Sequence, residues 1–199
     1  MVDAAGVVGR GHRAAARGSG IIWVGSHGVR SADVRAATEA SIAGIAGALD
    51  AEGSRIEELV RLGVHHDQSL DDATVRRAVR AALPESARPV VSFLPVREAS
   101  LAGAVLVIDG AAASGPRHEV GGGNFPSAVR VGDRVWTGGT RGVGDGILTQ
   151  TADVIARLTS VAEEAGMALD DCVKVNIAYV GTGRRRCHGR RTGLAAREG

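Results

Sequence analysis

The sequence predicts an α+β protein: a mixed sheet with two helices on one face, built as a module that occurs twice, the second copy incomplete. Three observations carry this. Apolar runs of strand length alternate with two segments of helical periodicity between residues 36 and 83. Aromatics make up only 3% of the chain, so the core must be built from Val, Ile, Leu and Ala. And a register of 113 residues repeats without a gap. Trp23 falls on Trp136, Thr38 on Thr151, Ile42 on Ile155, Gly53 on Gly166 and Val60 on Val173. A register that survives a strand, a helix, a turn and another strand reads as internal duplication.

The first copy parses in order. "RAAARGSGIIWVGS" reads as a hairpin turning at Gly18, Ser19 and Gly20. A helix follows near 36–52, with Ile42, Ile45 and Leu49 on one stripe and Gly53 just past its end. "ELVRLGVHH" reads as a strand. Ser69 is placed to cap a second helix over about 70–83, with Val75, Val79 and Leu83 inward and Pro84 as the stop. "PVVSFLPV" and "AGAVLVIDGAA" read as two further strands. The complete module spans 12–113, and a Gly-rich connector spans 114–124.

The second copy spans 125–183. It shows the hairpin "SAVRVGDRVWTGG", a helix and the strand "CVKVNIAYV". Its second helix is due near 182–196, where "TGRRRCHGRRTGLAA" has almost no apolar stripe. The Arg-rich stretch 184–199 is expected to be a disordered, replaced or out-of-frame tail that leaves the copy without its last strands. That stretch carries a net +5, which leaves −3 for the remainder of a chain whose formal charge is +2. The body therefore has no nucleic-acid footprint. The N-terminus lacks the basic start and long apolar block of a signal peptide, and no apolar run approaches the roughly 20 residues that span a bilayer. Cys172 and Cys187 form no C-x-x-C pair, so a reducing, cytoplasmic setting is expected.

"FPSAVRVGDRVWTGG" resembles the opening hairpin of the reactive intermediate deaminases, the RidA or YjgF-like family, and "QTADVIARLTSVAEEAGMALDDCVKVNIAYV" resembles the helix and strand that follow. "ARPVVSFLPV" and "AVLVIDGAA" resemble that family's last two strands. The resemblance implies a chorismate-mutase-like fold assembled as a homo-oligomer, a trimer, with sites in clefts between modules. It implies hydrolytic deamination of small enamine or imine acids to 2-keto acids and ammonia. Arg88 would grip the substrate carboxylate, and Asp109 would position the hydrolytic water. Gly25 and Ser26 stand where the family often has Ser-Gly, and Trp136, Thr137 and Gly138 would line the same cleft. Departures from the pattern are Arg76 and Val79 in place of a common Asn and Tyr, Phe125 in place of a Tyr, and Asp109 in place of a Glu.

The residue chemistry fits these roles. A guanidinium presents a planar fork that matches a carboxylate, and a carboxyl group can relay protons while an imine is hydrolysed. No cofactor and no metal are expected, because an iminium carbon is already electrophilic. His65 and His66 are neighbours on a strand, so they point to opposite faces and do not converge on one ion. Cys187-His188 is a lone pair in the tail, and "GGGN" and "GVGDG" read as loops rather than phosphate cradles. Two other classes stand beside the deaminase: a non-catalytic small-carboxylate binder or assembly partner of the same fold, and RNA cleavage. The acidic body, which lacks a basic aromatic face, argues against the last.

Overall fold

The computed structural model of the chain describes residues 15–97 and 101–178. Two expectations, the tail 184–199 and the Cys187-His188 pair, lie outside them. The described chain is a mixed α+β fold with three helices. A hairpin of β1 (Ala15–Gly18) and β2 (Ile21–His27) opens it. Ser19 and Gly20 both take positive φ, 50° and 74°, the paired left-handed conformation that matches a two-residue turn to the twist of its strands. α1 (Val34–Ala51), a short 3₁₀ turn, β3 (Leu59–Asp67), α2 (Asp72–Ala82), β4 (Val90–Val96) and β5 (Leu106–Ala113) follow.

Five of these strands form one sheet in the order β1-β2-β5-β3-β4, with β3 and β4 parallel and the other pairs antiparallel. Both helices lie on one face of it. The α1 stripe predicted from spacing is buried there: Ile45 and Leu49 are fully covered, and Ile42 is 4% exposed. Val75 and Val79 from α2, and Leu62, Val64, Leu106 and Ile108 from the strands, complete this core. Each such side chain contributes about 1.5–3 kcal/mol through burial. Thr38 and Ser41 are buried with it because their hydroxyls donate to the carbonyls of Val34 and Ala37, one turn back.

The cap of α2 differs from the expectation. Asp71, not Ser69, closes it, accepting from the Thr74 amide at 2.9 Å. A carboxylate is the stronger acceptor and sits one residue before the first helical position. The Ser69 amide instead donates to Asp67.

The connector 114–124 contains a strand, which its glycines concealed. β6 (Arg117–Val120) pairs with β7 (Ala128–Val131), and β7 pairs with β8 (Arg134–Thr137). This three-stranded sheet lies over the face of the first sheet that the helices leave bare. Val129, Val131 and Trp136 pack there on Ile21, Val60, Val90 and Ala111. Phe125 reaches past the edge to Phe93, ring centroids 5.8 Å apart. α3 (Ile147–Glu164) and a 3₁₀ turn at Leu169–Asp171 follow. The bounds of β7, α3 and this turn each lie 113 residues after those of β1, α1 and the first 3₁₀ turn, Ile56–Glu58. The strand expected at "CVKVNIAYV" is not formed over its described part. Residues 172–178 pair with no strand among the described residues, and Val173, Val175 and Ile177 are exposed. A strand needs a neighbour for its backbone groups, and no described strand lies beside it.

Candidate functional site

The residues singled out by sequence fall into two separate charged groups on the helix-free face of the five-stranded sheet. The first surrounds Asp109 on β5. Its carboxylate takes a hydrogen bond from Arg61 Nη1 at 2.7 Å through Oδ1 and faces His65 Nε2 at 3.4 Å through Oδ2. Arg61 and His65 stand on β3, spaced so that both share a face with Gly63 between them. Gly63 is directly opposite Asp109, and a Cβ there would lie 2.6 Å from Asp109 Oδ2. The glycine is the floor that lets the carboxylate lie across β3. Burial works against the charged form of Asp109, but the His65 hydrogen bond and the Arg61 charge outweigh it and hold the carboxyl below its usual range.

On the other side of Asp109 the pairing of β2 slips. Val24 pairs with Gly110 and His27 with Ile108, so Gly25 and Ser26 together oppose Asp109. This is a β-bulge, which bends the strand and re-aims its side chains. Gly25, Ser26 and Asp109 are thus adjacent.

The second group surrounds Arg88, just before β4. Arg88 Nε donates to Glu119 Oε2 at 2.8 Å, and its Nη2 donates to the Gly123 carbonyl at 3.3 Å. Arg117 Nε donates to the other oxygen of Glu119 at 3.0 Å. Glu119, Val129 and Trp136 are cross-strand partners in one row of the small sheet, so all three face the large sheet. Trp136 therefore belongs to this group. Thr137 is one residue further along β8, and the Gly138 amide donates to Ser127 O at 2.8 Å.

The two groups do not meet within the chain. Val90 pairs with Arg61, whereas Asp109 pairs with Gly63, and β3 lies between β4 and β5. Four residues along and two strand spacings across separate the backbones of Arg88 and Asp109 by roughly 16 Å. Gly25 and Ser26 oppose Asp109 from β2, whereas Gly138 lies beside Val91 of β4, three strand positions away in the sheet.

Sequence reasoning missed Arg61, Arg117 and Glu119, and weighed His65 only as a metal ligand. The period of two in "RLGVHH" places Arg61 and His65 on one face, but their link to Asp109 needs the strand order. Elsewhere, Arg76 lies over the Phe93 ring, 4.2 Å from its centre, so this departure from the family pattern has a packing role. His66 is fully buried, with Nε2 3.2 Å from Asp72 Oδ1, on the opposite side of the sheet from His65. Among the described residues no group of His, Cys, Asp and Glu is arranged to hold a metal ion, and no helix is long and apolar enough to cross a membrane.

No protein-family profile and no curated protein sequence matches this chain. Solved structures do resemble it over about half its length. One is a member of the YjgF/YER057c/UK114 family from Mycobacterium tuberculosis, 22% identical, covering 53% of this chain and 88% of that one at a TM-score of 0.45. Another is RidA from an Antarctic Psychrobacter, 19% identical, covering 55% and 92% at 0.47. A third is TdcF of E. coli with bound serine, 15% identical, covering 51% and 86% at 0.46. The first two carry the name of the family that the hairpin and strands resemble.

Proposed function

We propose that the protein binds small carboxylic acids of the imine, enamine or 2-keto class through the guanidinium of Arg88. The observation that carries this reading is the bond from Arg88 Nε to a carboxylate, Glu119, at 2.8 Å, by a side chain that keeps 35% of its surface exposed. An arginine at the opening of a strand, already holding a carboxylate and still open to water, has the chemistry of a carboxylate anchor. The resemblance assigns the same residue the same partner.

Hydrolytic deamination is the second reading. What favours it is Asp109, an ionised carboxylate beside an imidazole, a pair able to pass a proton to and from water. With their backbone positions roughly 16 Å apart in one chain, Arg88 and Asp109 come to one small substrate most directly across a boundary between modules or chains, as the resemblance implies.

Titration calorimetry with pyruvate tests the first reading. Arg88→Ala should weaken binding by about 2–4 kcal/mol, and Arg88→Lys should rescue little of it, because an ammonium lacks the fork. Equal affinity in Arg88→Ala and the parent overturns the reading. Ammonia release from freshly generated 2-iminopropionate tests the second: Asp109→Asn should slow turnover about 10²–10⁴-fold with binding retained.

A further inference from the structure

We propose that Glu119 is a built-in competitor at Arg88: an internal carboxylate that an incoming acid displaces, and that thereby sets the affinity and charge selectivity of the site. The proposal rests on Arg88 as the carboxylate anchor and adds what occupies it at rest.

Three side chains make the device. Arg88 serves Glu119 Oε2 and Arg117 serves Oε1, so the two oxygens are held by different guanidiniums. Arg117 is itself tied down. Its Nη1 donates to the Leu59 carbonyl at 2.7 Å and its Nη2 to the Arg88 carbonyl. It is the fixed half of the clamp and is 21% exposed, against 35% for Arg88.

When a ligand carboxylate takes the Arg88 fork, Glu119 keeps its bond to Arg117 and is not left as an uncompensated charge. That makes exchange feasible where the loss of a sole partner would be prohibitive. The exchange replaces one carboxylate by another on the same guanidinium, with no covalent bond made or broken. Two guanidiniums against one carboxylate leave a single positive charge, which suits a monocarboxylate.

The support of Glu119 is also light. β6 has four residues, and β7 is its only strand partner among the described residues. The loop that follows holds Gly121 and Gly123 at φ 78° and 87°, a conformation that favours glycine. A Cβ built at Gly122 or Gly123 would meet nothing within 4 Å. The loop that gives Arg88 its second acceptor, the Gly123 carbonyl, is thus free of close neighbours there. The affinity seen by a ligand is its intrinsic affinity reduced by the fraction of molecules in which Arg88 is released.

Titration calorimetry of the full chain with pyruvate at pH 7 tests this. Glu119→Gln keeps the shape and removes the charge, so it should bind pyruvate about 10- to 100-fold more tightly than the parent, the worth of one charge-assisted hydrogen bond. Arg88→Ala, alone or combined with Glu119→Gln, should bind at least about 30-fold more weakly than the parent. If Glu119→Gln binds no more tightly while Arg88→Ala still weakens binding to that extent, the competitor is overturned and the anchor stands. If neither the parent nor Glu119→Gln binds pyruvate, the anchor falls and the competitor with it. A measurement on the parent guards against a variant that fails to fold. In protein labelled with ¹³C-glutamate, the Glu119 carboxyl signal should move as pyruvate saturates the site. A stationary signal under saturation overturns displacement.

Discussion

Ile42 and Ile155 sit 113 residues apart, at the same position of two 18-residue helices, α1 and α3. Ile42 is 4% exposed and Ile155 50%. Helix length and stripe chemistry are alike, so neither accounts for the difference. α1 lies on β2 and β5 and beside α2, which together close over its stripe. α3 touches β8 and the Leu169–Asp171 turn, and among its residues only Ala162 is buried. An amphipathic helix buries its face only where the sheet it was patterned for is present. In residues 117–178 that sheet is three short strands: Val129, Val131 and Trp136 cover the five-stranded sheet, and the opposite face packs only the end of α3, at Val161 and Ala165.

The sharpest way to break this comparison is to delete the same atoms twice. Ile42→Ala should cost about 2–5 kcal/mol, the range for a buried aliphatic truncation. Ile155→Ala should cost under about 1 kcal/mol, since little area is lost and alanine is the better helix former. Urea unfolding of both variants checks it, and equal losses would mean that α3 is covered in solution as α1 is.

One contact between the regions supplies a second test. Phe125 packs on Phe93 from beyond the sheet edge. Phe125→Ala should cost about 1–2 kcal/mol, less than the 3–5 of a fully buried phenylalanine because the ring is only partly covered. Limited proteolysis should then cut the 117–178 region before residues 15–97. If the cleavage order is unchanged, Phe125 is not a tie between them.

The Asp109 group supplies a test through pH. Its carboxyl is held below the ordinary value of 3.8, so the folded state binds this proton less readily than the unfolded chain. The stabilisation is therefore complete above that value and is lost as pH falls through the lower, folded value. Asp109→Asn should cost about 1–3 kcal/mol at pH 7, and the gap to the parent should narrow on acidification to about pH 3. Urea midpoints at the two pH values check this. A gap that stays constant would assign the loss to shape rather than charge.

These contrasts also show which parts of the molecule were legible in the sequence. α1 was, because Ile42, Ile45 and Leu49 repeat at helical spacing and all three are buried. The two hairpin turns were, because Ser19-Gly20 and Gly132 carry the positive φ that such turns require. β6 was not: four residues, Arg117–Val120, show too little periodicity to stand out between glycines, and its pairing comes only from β7. "CVKVNIAYV" misled in the other direction, since its alternation is that of a strand but its described part lacks a partner. Arg88 and Asp109 were legible as individual residues and not as neighbours or strangers. Their partners Glu119 and Arg61 lie 31 and 48 positions away in sequence, and only the strand order brings them in.

The smallest expected effect tests the open end of the comparison. Leu148 is 85% exposed in the first turn of α3, where the structure has no acidic residue and Gly146 provides no side-chain cap. Its counterpart on α1, 113 residues earlier, is Arg35, whose side chain is 82% exposed. Both positions therefore face away from any core, and neither hydrophobic burial nor packing should register a change. What remains is the helix end, where a negative charge is worth about 0.3–1 kcal/mol in favour. Leu148→Glu should accordingly leave stability unchanged or raise it by a few tenths of a kcal/mol, measured by thermal melting at low ionic strength, and the gain should fade with added salt. A loss above about 1 kcal/mol would place Leu148 under a covering surface and give α3 a buried face that α1 does not have at the same position.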